Sequence, residues 1–411
     1  MTSNLYDVLT ERGLMAQSTD DAIRERLQEP LTCYIGFDPT ADSLHIGGLV
    51  PIMGLAWLQR CGHRPLPLIG GATAMIGDPS GKTVARRILT LEQVRTIATA
   101  IGEQIGRFLR FGDGPTDARL LNNADWLAQR TWIDVLREYG PHFSVNRMLT
   151  MDSVRGRLET GGISFLEFNY MVMQAADFLH LYRSEGCTLQ MGGQDQWGNI
   201  VMGIELARRL EGASLAGLTM PLVTKPDGSK FGKSEGGNVW LAAERTPVHD
   251  FYQFWRNVAD ADVGRFLRFF TFLDMDTIRR LDALQGAAIN EAKEILALEV
   301  TGMVHGRVAA EQAQADARKA FGAQDLSGAS IPHAHLPVDE LDAGIGVLSL
   351  FVRSGLCSSN GEARRLIKGR GARINDQVVE DPSATVDSGT VAEGCILLRA
   401  GKKKHFRFDV D

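Results

Sequence analysis

Short apolar runs that stop at glycines recur through the first half of the chain, and amphipathic helical patterns fill the gaps between them. The segments 31–37 (LTCYIGF), 65–70 (PLPLIG), 187–191 (CTLQM) and 219–224 (TMPLVT) read as strands. Residues 45–60, between the first two, place Leu49, Ile52, Met53, Ala56 and Trp57 on one helical face. Strands alternating with helices predict an α/β fold built on a parallel sheet with crossover helices. In such sheets ligands collect beyond the carboxyl ends of the strands. Gly70-Gly71 and Gly192-Gly193 fall there.

From about Pro247 the pattern turns helical, with an Ala-rich amphipathic stretch over 290–321. Residues 324–344 carry two prolines, two glycines and no strong period, which marks a linker. In the tail, Ser359-Asn360-Gly361-Glu362 spells a capping box for a helix running to Lys368. Strands are expected at 372–374 and 377–379 about the turn Asn375-Asp376, with a hairpin from 395–399 and 405–410. The tail from Ile345 to Asp411 holds 11 Lys+Arg against 8 Asp+Glu, a local +3 in a chain of net charge -6. A basic tail on an acidic body suits a polyanionic partner, and equally a small domain with a solvated basic face.

With 411 residues the chain has room for two or three domains. Hydrophobic residues at 44% and charged residues at 23% exclude disordered, collagen-like and disulfide-scaffold classes. The first 13 residues show no apolar core of a secretory signal, so a cytoplasmic protein is expected. Five scattered cysteines without a C-x-x-C pair read as free thiols and argue against a structural zinc site.

Five polar clusters can carry chemistry. The first, 38–48 (DPTADSLHIGG), joins a strand to a helix, whose free N–H groups suit phosphate; Thr40 and His45 can donate there, and Gly47 lets a planar group approach. A capped turn with a surface histidine explains it as well. The second, 70–83 (GGATAMIGDPSGKT), is not a P-loop, because Ile76 occupies the position of its first glycine. Asp78 can still pair with an ammonium group, and Lys82 and Arg86 with phosphate, unless the loop is simply solvated. In the third, Tyr170, Gln174 and Asp177 share one face of an otherwise apolar helix, so their tips need a bound ligand or an internal network. The fourth, 192–199 (GGQDQWGN), puts Asp195 at a strand end, as for ribose hydroxyls or for a capped turn. The fifth, 225–237 (KPDGSKFGKSEGG), sets Lys230 and Lys233 in a loop able to close over a polyphosphate; taken alone it would be an ordinary lysine-bearing loop.

Taken in order, these clusters resemble the class I aminoacyl-tRNA synthetases, and most closely their bacterial-type tyrosyl branch. His45-Ile46-Gly47-Gly48 resembles the HIGH motif and Lys230-Phe231-Gly232-Lys233-Ser234 the KMSKS motif. Gly48 replaces the second histidine, while Phe231 and Gly232 replace methionine and serine. YIGFDPTADSLHIG, GGATAMIGDPS, GGQDQWGNI and DGSKFGKSEG resemble the tyrosyl branch specifically, and the tail resembles an S4-type RNA-binding domain. The resemblance implies a Rossmann-like catalytic domain over 1–225, with a dimer-forming insertion at about 110–185 that includes Ile163-Ser164-Phe165. A helical domain with the lysine loop would follow over 226–325, then a linker over 326–344 and the S4-like α+β domain over 345–411.

The implied reaction is activation of tyrosine by ATP, with magnesium carried on the ATP and no protein-bound metal, then transfer to tRNA(Tyr). Carried over by position, Tyr34 and Asp177 would bind the phenol, and Asp78, Tyr170 and Gln174 the ammonium. Gln196 would lie near the carboxylate. Asp38, His45, Gly47, Gly192, Asp195 and Lys233 would hold ATP. Thr40, His45, Lys82, Arg86, Lys230 and Lys233 would stabilise the leaving pyrophosphate. RNA would meet Arg364, Arg365, Lys368, Arg370, Lys402, Lys403 and Lys404. A tryptophanyl enzyme is the alternative within the class, but the Tyr34–Asp177 pair and the tail speak against it. An RNA-binding factor with a decayed core is the alternative outside it, and the intact His45, Lys230 and Lys233 speak against that.

Overall fold

The computed structural model describes residues 3–79, 90–223, 231–234, 237–322, 332–342, 344–375, 377–392, 394–401 and 404–410. The chain divides into two compact units, Met1–Ala315 and Asp316–Asp411. In the first, β1 (Gln17–Ser18), β2 (Thr32–Phe37), β3 (Arg64–Ile69), β4 (Leu121–Asn122), β5 (Cys187–Gly193) and β6 (Ala216–Met220) form one sheet. Its order is β1-β6-β5-β2-β3-β4, and all neighbours run parallel except β1, which is antiparallel to β6. The parallel sheet expected from the alternating pattern is present. β6 begins and ends earlier than the expected 219–224, since Pro221 has no N–H with which to extend the ladder.

Helix Leu49–Arg60 packs on β3 and buries Leu49, Ile52, Met53, Leu55 and Leu58. Helices Tyr170–Glu185 and Trp197–Glu211 flank β5 and pack on each other. Each ends at a glycine in the left-handed region, Gly186 (φ 62°) and Gly212 (φ 63°), where a side chain would be strained. A two-residue hairpin pair, β7 (Lys233–Ser234) and β8 (Gly237–Asn238), follows the sheet.

The helical segment expected as a separate domain belongs, as far as Ala315, to the first unit. Helix Val263–Phe270 packs on Leu49–Arg60 with Phe266, Leu267 and Phe270 buried. Arg12 ties the two regions together. Its guanidinium donates to the carbonyls of Arg268 (3.1 Å), Thr271 (3.0 Å) and Leu273, satisfying acceptors that the helix end leaves open. The Ala-rich stretch is two helices, Ile289–His305 and Arg307–Gly322, interrupted at Gly306 (φ 91°).

In the second unit, β9 (His333–Leu336), β10 (Ile345–Gly346), β11 (Ala372–Ile374), β12 (Gln377–Val378), β13 (Thr385–Val386), β14 (Cys395–Ala400) and β15 (Lys404–Val410) form two sheets. The larger has the order β12-β11-β14-β15-β9, and β10 pairs with β13. β14 and β15 form the expected hairpin. The expected linker needs correction: His333–Leu336 is an edge strand parallel to β15, and Val338–Asp342 is helical. Leu336 is buried in the core with Phe351, Ile396 and Phe408. Only half of the expected capping box forms on helix Asn360–Lys368. Ser359 Oγ accepts from the Glu362 amide (3.3 Å), but Glu362 reaches back to the Ser358 amide (2.7 Å). Among the described residues no helix is long and apolar enough to cross a membrane.

Candidate active site

A cavity of about 490 Å³ opens beyond the carboxyl ends of β2, β3 and β5. β2 and β5 bring Tyr34 and Gln190 to its wall as cross-strand partners. The loops that follow the three strands supply Asp38, Thr40 and His45, then Thr73 and Asp78, then Asp195 and Gln196, and the end of β5 itself supplies Gly192. Tyr170, Gln174 and Asp177 face it together from one helix, as their spacing requires.

One end of the cavity is a buried polar pair. Asp177 is 2% exposed; its Oδ1 accepts from Trp126 Nε1 (2.8 Å) and its Oδ2 from Asn123 Nδ2 (2.9 Å). Burial pushes its carboxyl up from 3.8 to about 7, against the pull of those two donors. Trp126 is itself stacked on His180, with ring centroids 4.2 Å apart. Tyr34 is 1% exposed and its hydroxyl has no hydrogen-bond partner among the described residues. Burial first, and the Asp177 charge second, hold that phenol well above its usual range, so it is neutral and able to donate or accept. A buried hydroxyl left unpaired is costly unless a ligand completes it.

A polar network lines the middle. Asp38 accepts from Tyr170 Oη (3.1 Å) and Thr73 Oγ1 (3.0 Å), and Asn123 Nδ2 also reaches Thr73 Oγ1 (3.1 Å). Gln196 Nε2 donates to Asp78 Oδ2 (2.8 Å). At Gly193 an added Cβ would lie 2.5 Å from Asp195 Oδ1, so the glycine lets the carboxylate fold back at the strand end.

At the other end, His45 Nδ1 accepts from the Gly47 amide (2.9 Å), which leaves the ring proton on Nε2 as a donor. Gly47 also lies against that ring. A Cβ there would sit 2.6 Å from the His45 ring, so the histidine is what requires the glycine. The His45 segment is sewn to the segment after the β7–β8 hairpin. Ile46 N–H donates to Val239 O (3.0 Å) and Leu241 N–H to Leu44 O (2.8 Å). Trp240, between them, meets the His45 ring edgewise (6.4 Å), lines the cavity, and carries Arg245 over its face while Arg245 pairs with Asp42. Phe231, at the foot of the hairpin, is buried among Phe254, Trp255, Phe266 and Phe270.

Lys82, Arg86, Lys230, Lys402 and Lys403 lie outside the described residues, as does the side chain of Lys233. In the second unit Arg364, Arg365 and Lys368 are exposed on one helix face while Ala363 and Ile367 are buried on the other. Arg370 (φ 54°) is paired with Glu380, and Lys404 is exposed. Asn123, Trp126, Gln190, Asn199 and Trp240 are site residues that sequence reasoning did not single out.

Residues 25–322 match the family model described as tRNA synthetases class I (W and Y), and residues 348–391 match that of the S4 domain. The tyrosine–tRNA ligase of Rhizobium meliloti (strain 1021) is 51% identical over 407 residues, covering 98% of this chain and 97% of the relative. That of Rhodospirillum rubrum is 51% identical over 406 residues, again covering 98% and 97%. Among solved structures, a C-terminally truncated mitochondrial tyrosyl-tRNA synthetase from Aspergillus nidulans superposes with a TM-score of 0.69 at 29% identity, over 78% of this chain and 94% of that one. A tryptophanyl-tRNA synthetase from Encephalitozoon cuniculi bound to tryptophan shares the fold, with a TM-score of 0.55 at 13% identity over 75% of this chain and 87% of that one.

Proposed function

The chain belongs to the class I tRNA synthetase family of the tryptophan and tyrosine enzymes, and from that premise we propose how its pocket performs the work of a tyrosine–tRNA ligase. The reaction has two steps. A carboxylate oxygen of L-tyrosine attacks the α-phosphorus of ATP, and the bond to the β-phosphate breaks to release pyrophosphate. A ribose hydroxyl at the 3′ end of tRNA(Tyr) then attacks the tyrosyl carbonyl and AMP departs.

In our reading Tyr34 and Asp177 grip the phenol, which can accept from one and donate to the other. Asp78, Tyr170 and Gln174 offer acceptors to the ammonium, and Gln196 offers an N–H to the carboxylate. Asp195 takes the ribose, with Asp38 and Gly192 beside the nucleotide. Thr40 and His45 meet the far phosphates, joined by Lys82, Arg86, Lys230 and Lys233. None of these groups bonds covalently to substrate; they hold the reactants in line and stabilise charge that grows on the departing diphosphate. Magnesium arrives on the ATP, so chelation should stop exchange without changing the melting temperature. In the second unit, Arg364, Arg365, Lys368, Arg370 and Lys404, with Lys402 and Lys403, grip RNA phosphates.

The observation that carries the choice of amino acid is the Tyr34 hydroxyl, without a partner among the described residues, beside the buried Asp177 carboxyl. Phenylalanine would leave the buried Tyr34 hydroxyl unsatisfied and bring no hydroxyl to Asp177, and an indole N–H can donate but not accept. ATP–pyrophosphate exchange tests it: tyrosine should support exchange and phenylalanine and tryptophan should not. Comparable exchange with phenylalanine would reject the assignment.

We also propose a homodimer formed through the segment at about 110–185. There Phe165 is 69% exposed, and Trp132, Ile133, Leu136, Val145 and Leu158 are exposed beside it in the chain. Phe165→Asp should then shift sedimentation towards a monomer; a wild-type monomer at micromolar concentration would dismiss the dimer. A cytoplasmic location fits the five free cysteines, and recovery of the enzyme in any other fraction would contradict it.

A further inference from the structure

Four polar side chains join end to end under the amino-acid end of the cavity. Gln196 Nε2 donates to Asp78 Oδ2 at 2.8 Å. Asn199 Nδ2 donates to Gln196 Oε1 at 3.2 Å and to Gln174 Oε1 at 3.0 Å. A carboxylate only accepts, so Asp78 dictates the direction of the whole chain. Gln196 must turn its NH₂ towards Asp78, which presents its oxygen to Asn199. Asn199 must turn its NH₂ towards that oxygen, and its second N–H then reaches the oxygen of Gln174. Asn199 is 3% exposed, is not on the cavity wall, and commits both of its side-chain donors to these two amides.

We propose that Asn199 is a positioning residue for the charged end of tyrosine, fixing which pole each neighbouring amide shows to the substrate. The inference rests on the reading above that Gln174 and Gln196 face the ammonium and the carboxylate. With Asn199 in place, Gln174 keeps one lone pair of a fixed oxygen for the ammonium, and Gln196 keeps its second N–H for the carboxylate. An amide can turn over about its terminal torsion at little cost when nothing holds it. A turned Gln174 would set N–H groups against the ammonium. Affinity falls by the fraction of molecules showing the right pole, so a freely turning Gln174 costs about twofold, and Gln196, still held by Asp78, adds at most about another twofold. Asn199 thus acts through two other side chains and never touches the substrate.

The test uses Asn199→Ala, Asn199→Ser and Asn199→Asp in the full-length enzyme, each checked by melting temperature. Asn199→Ala should raise the KM for tyrosine about two- to fourfold in ATP–pyrophosphate exchange. Asn199→Ser, whose hydroxyl can serve only one oxygen, should fall between it and the wild type. Asn199→Asp replaces the donor fork with acceptors and should be the worst for tyrosine. The KM for ATP should stay within about twofold, because the nucleotide end is untouched. The Ki of 4-ethylphenol, which lacks both charged groups, should also be unchanged, whereas that of tyramine should rise with the KM for tyrosine. An unchanged tyrosine KM in the variants that fold would overturn the proposal. So would parallel weakening of 4-ethylphenol, the mark of a merely loosened pocket. Gln174→Ala separates the two readings. If it leaves the tyrosine KM alone, the site assignment has failed. If it raises KM while the Asn199 variants do not, only the positioning role has failed.

Discussion

Asp177 shows how one residue binds selectivity to stability. Its carboxyl titrates near 7 in the folded chain, against an ordinary 3.8. The folded state therefore holds this proton more tightly than the unfolded state, and stability falls as pH rises between those two values. The loss is absent below about pH 4 and complete above about pH 7. Asp177→Asn removes the ionisation. Its melting temperature should gain on the wild type between pH 5 and pH 8, by on the order of 4 °C. The amide gives up one acceptor for Trp126 or Asn123, but that cost is the same at every pH, so the slope isolates the carboxyl. A gap that stays constant with pH would show that Asp177 is ionised in the fold at acidic pH as well. The same substitution should sharply reduce tyrosine use. The helix face bearing Tyr170, Gln174 and Asp177 was legible from spacing, because three polar residues at helical intervals on an apolar stretch stand out. Asn123 and Trp126 were not, since each is a single polar group whose partner Asp177 lies more than fifty residues on and leaves no period, and Asn199, inside the fourth cluster, gave no sign of its bond to Gln174.

Among the elements, β2, β3 and β5 were readable because each is an apolar run closed by a turn signal. β1 and β4 are two residues each and exist only as additions to the edges of a finished sheet. β9 was hidden for a related reason: a parallel edge strand is defined by β15, more than sixty residues on, rather than by its own composition. The hairpin bearing Lys233 carries a sharper prediction. Gly232 has φ 95°, and a Cβ there would lie 2.9 Å from Ile46 Cγ1. Alanine would be strained in both respects, by about 1–3 kcal/mol, at the point where the hairpin rests on the His45 segment. Gly232→Ala should lower the kcat of exchange about tenfold while the KM for tyrosine stays within twofold. An equal rise in tyrosine KM would mean that the hairpin reaches the amino-acid end.

For the whole molecule, the two units set where the chain can be cut. A cut after Gly344 would strip β9 from the S4-bearing sheet and leave it on the catalytic part. Ending the chain at Gly322 keeps helix Arg307–Gly322 whole and removes both sheets of the second unit. That fragment should retain tyrosine-dependent exchange within about twofold and lose tRNA charging by on the order of 100-fold, as expected when most phosphate contacts are removed. Charging at the full rate would place the RNA grip on the first unit. The boundary was misjudged from sequence because prolines and glycines between 324 and 344 mask a short strand and a short helix. The backbone bonds from Leu44 and Ile46 to Val239 and Leu241 have a consequence for how the enzyme comes into being. On the ribosome, the His45 stretch emerges early but lacks these backbone partners until residue 241 has been translated. A product of premature termination before that codon would carry the first signature in full without the segment that clasps it.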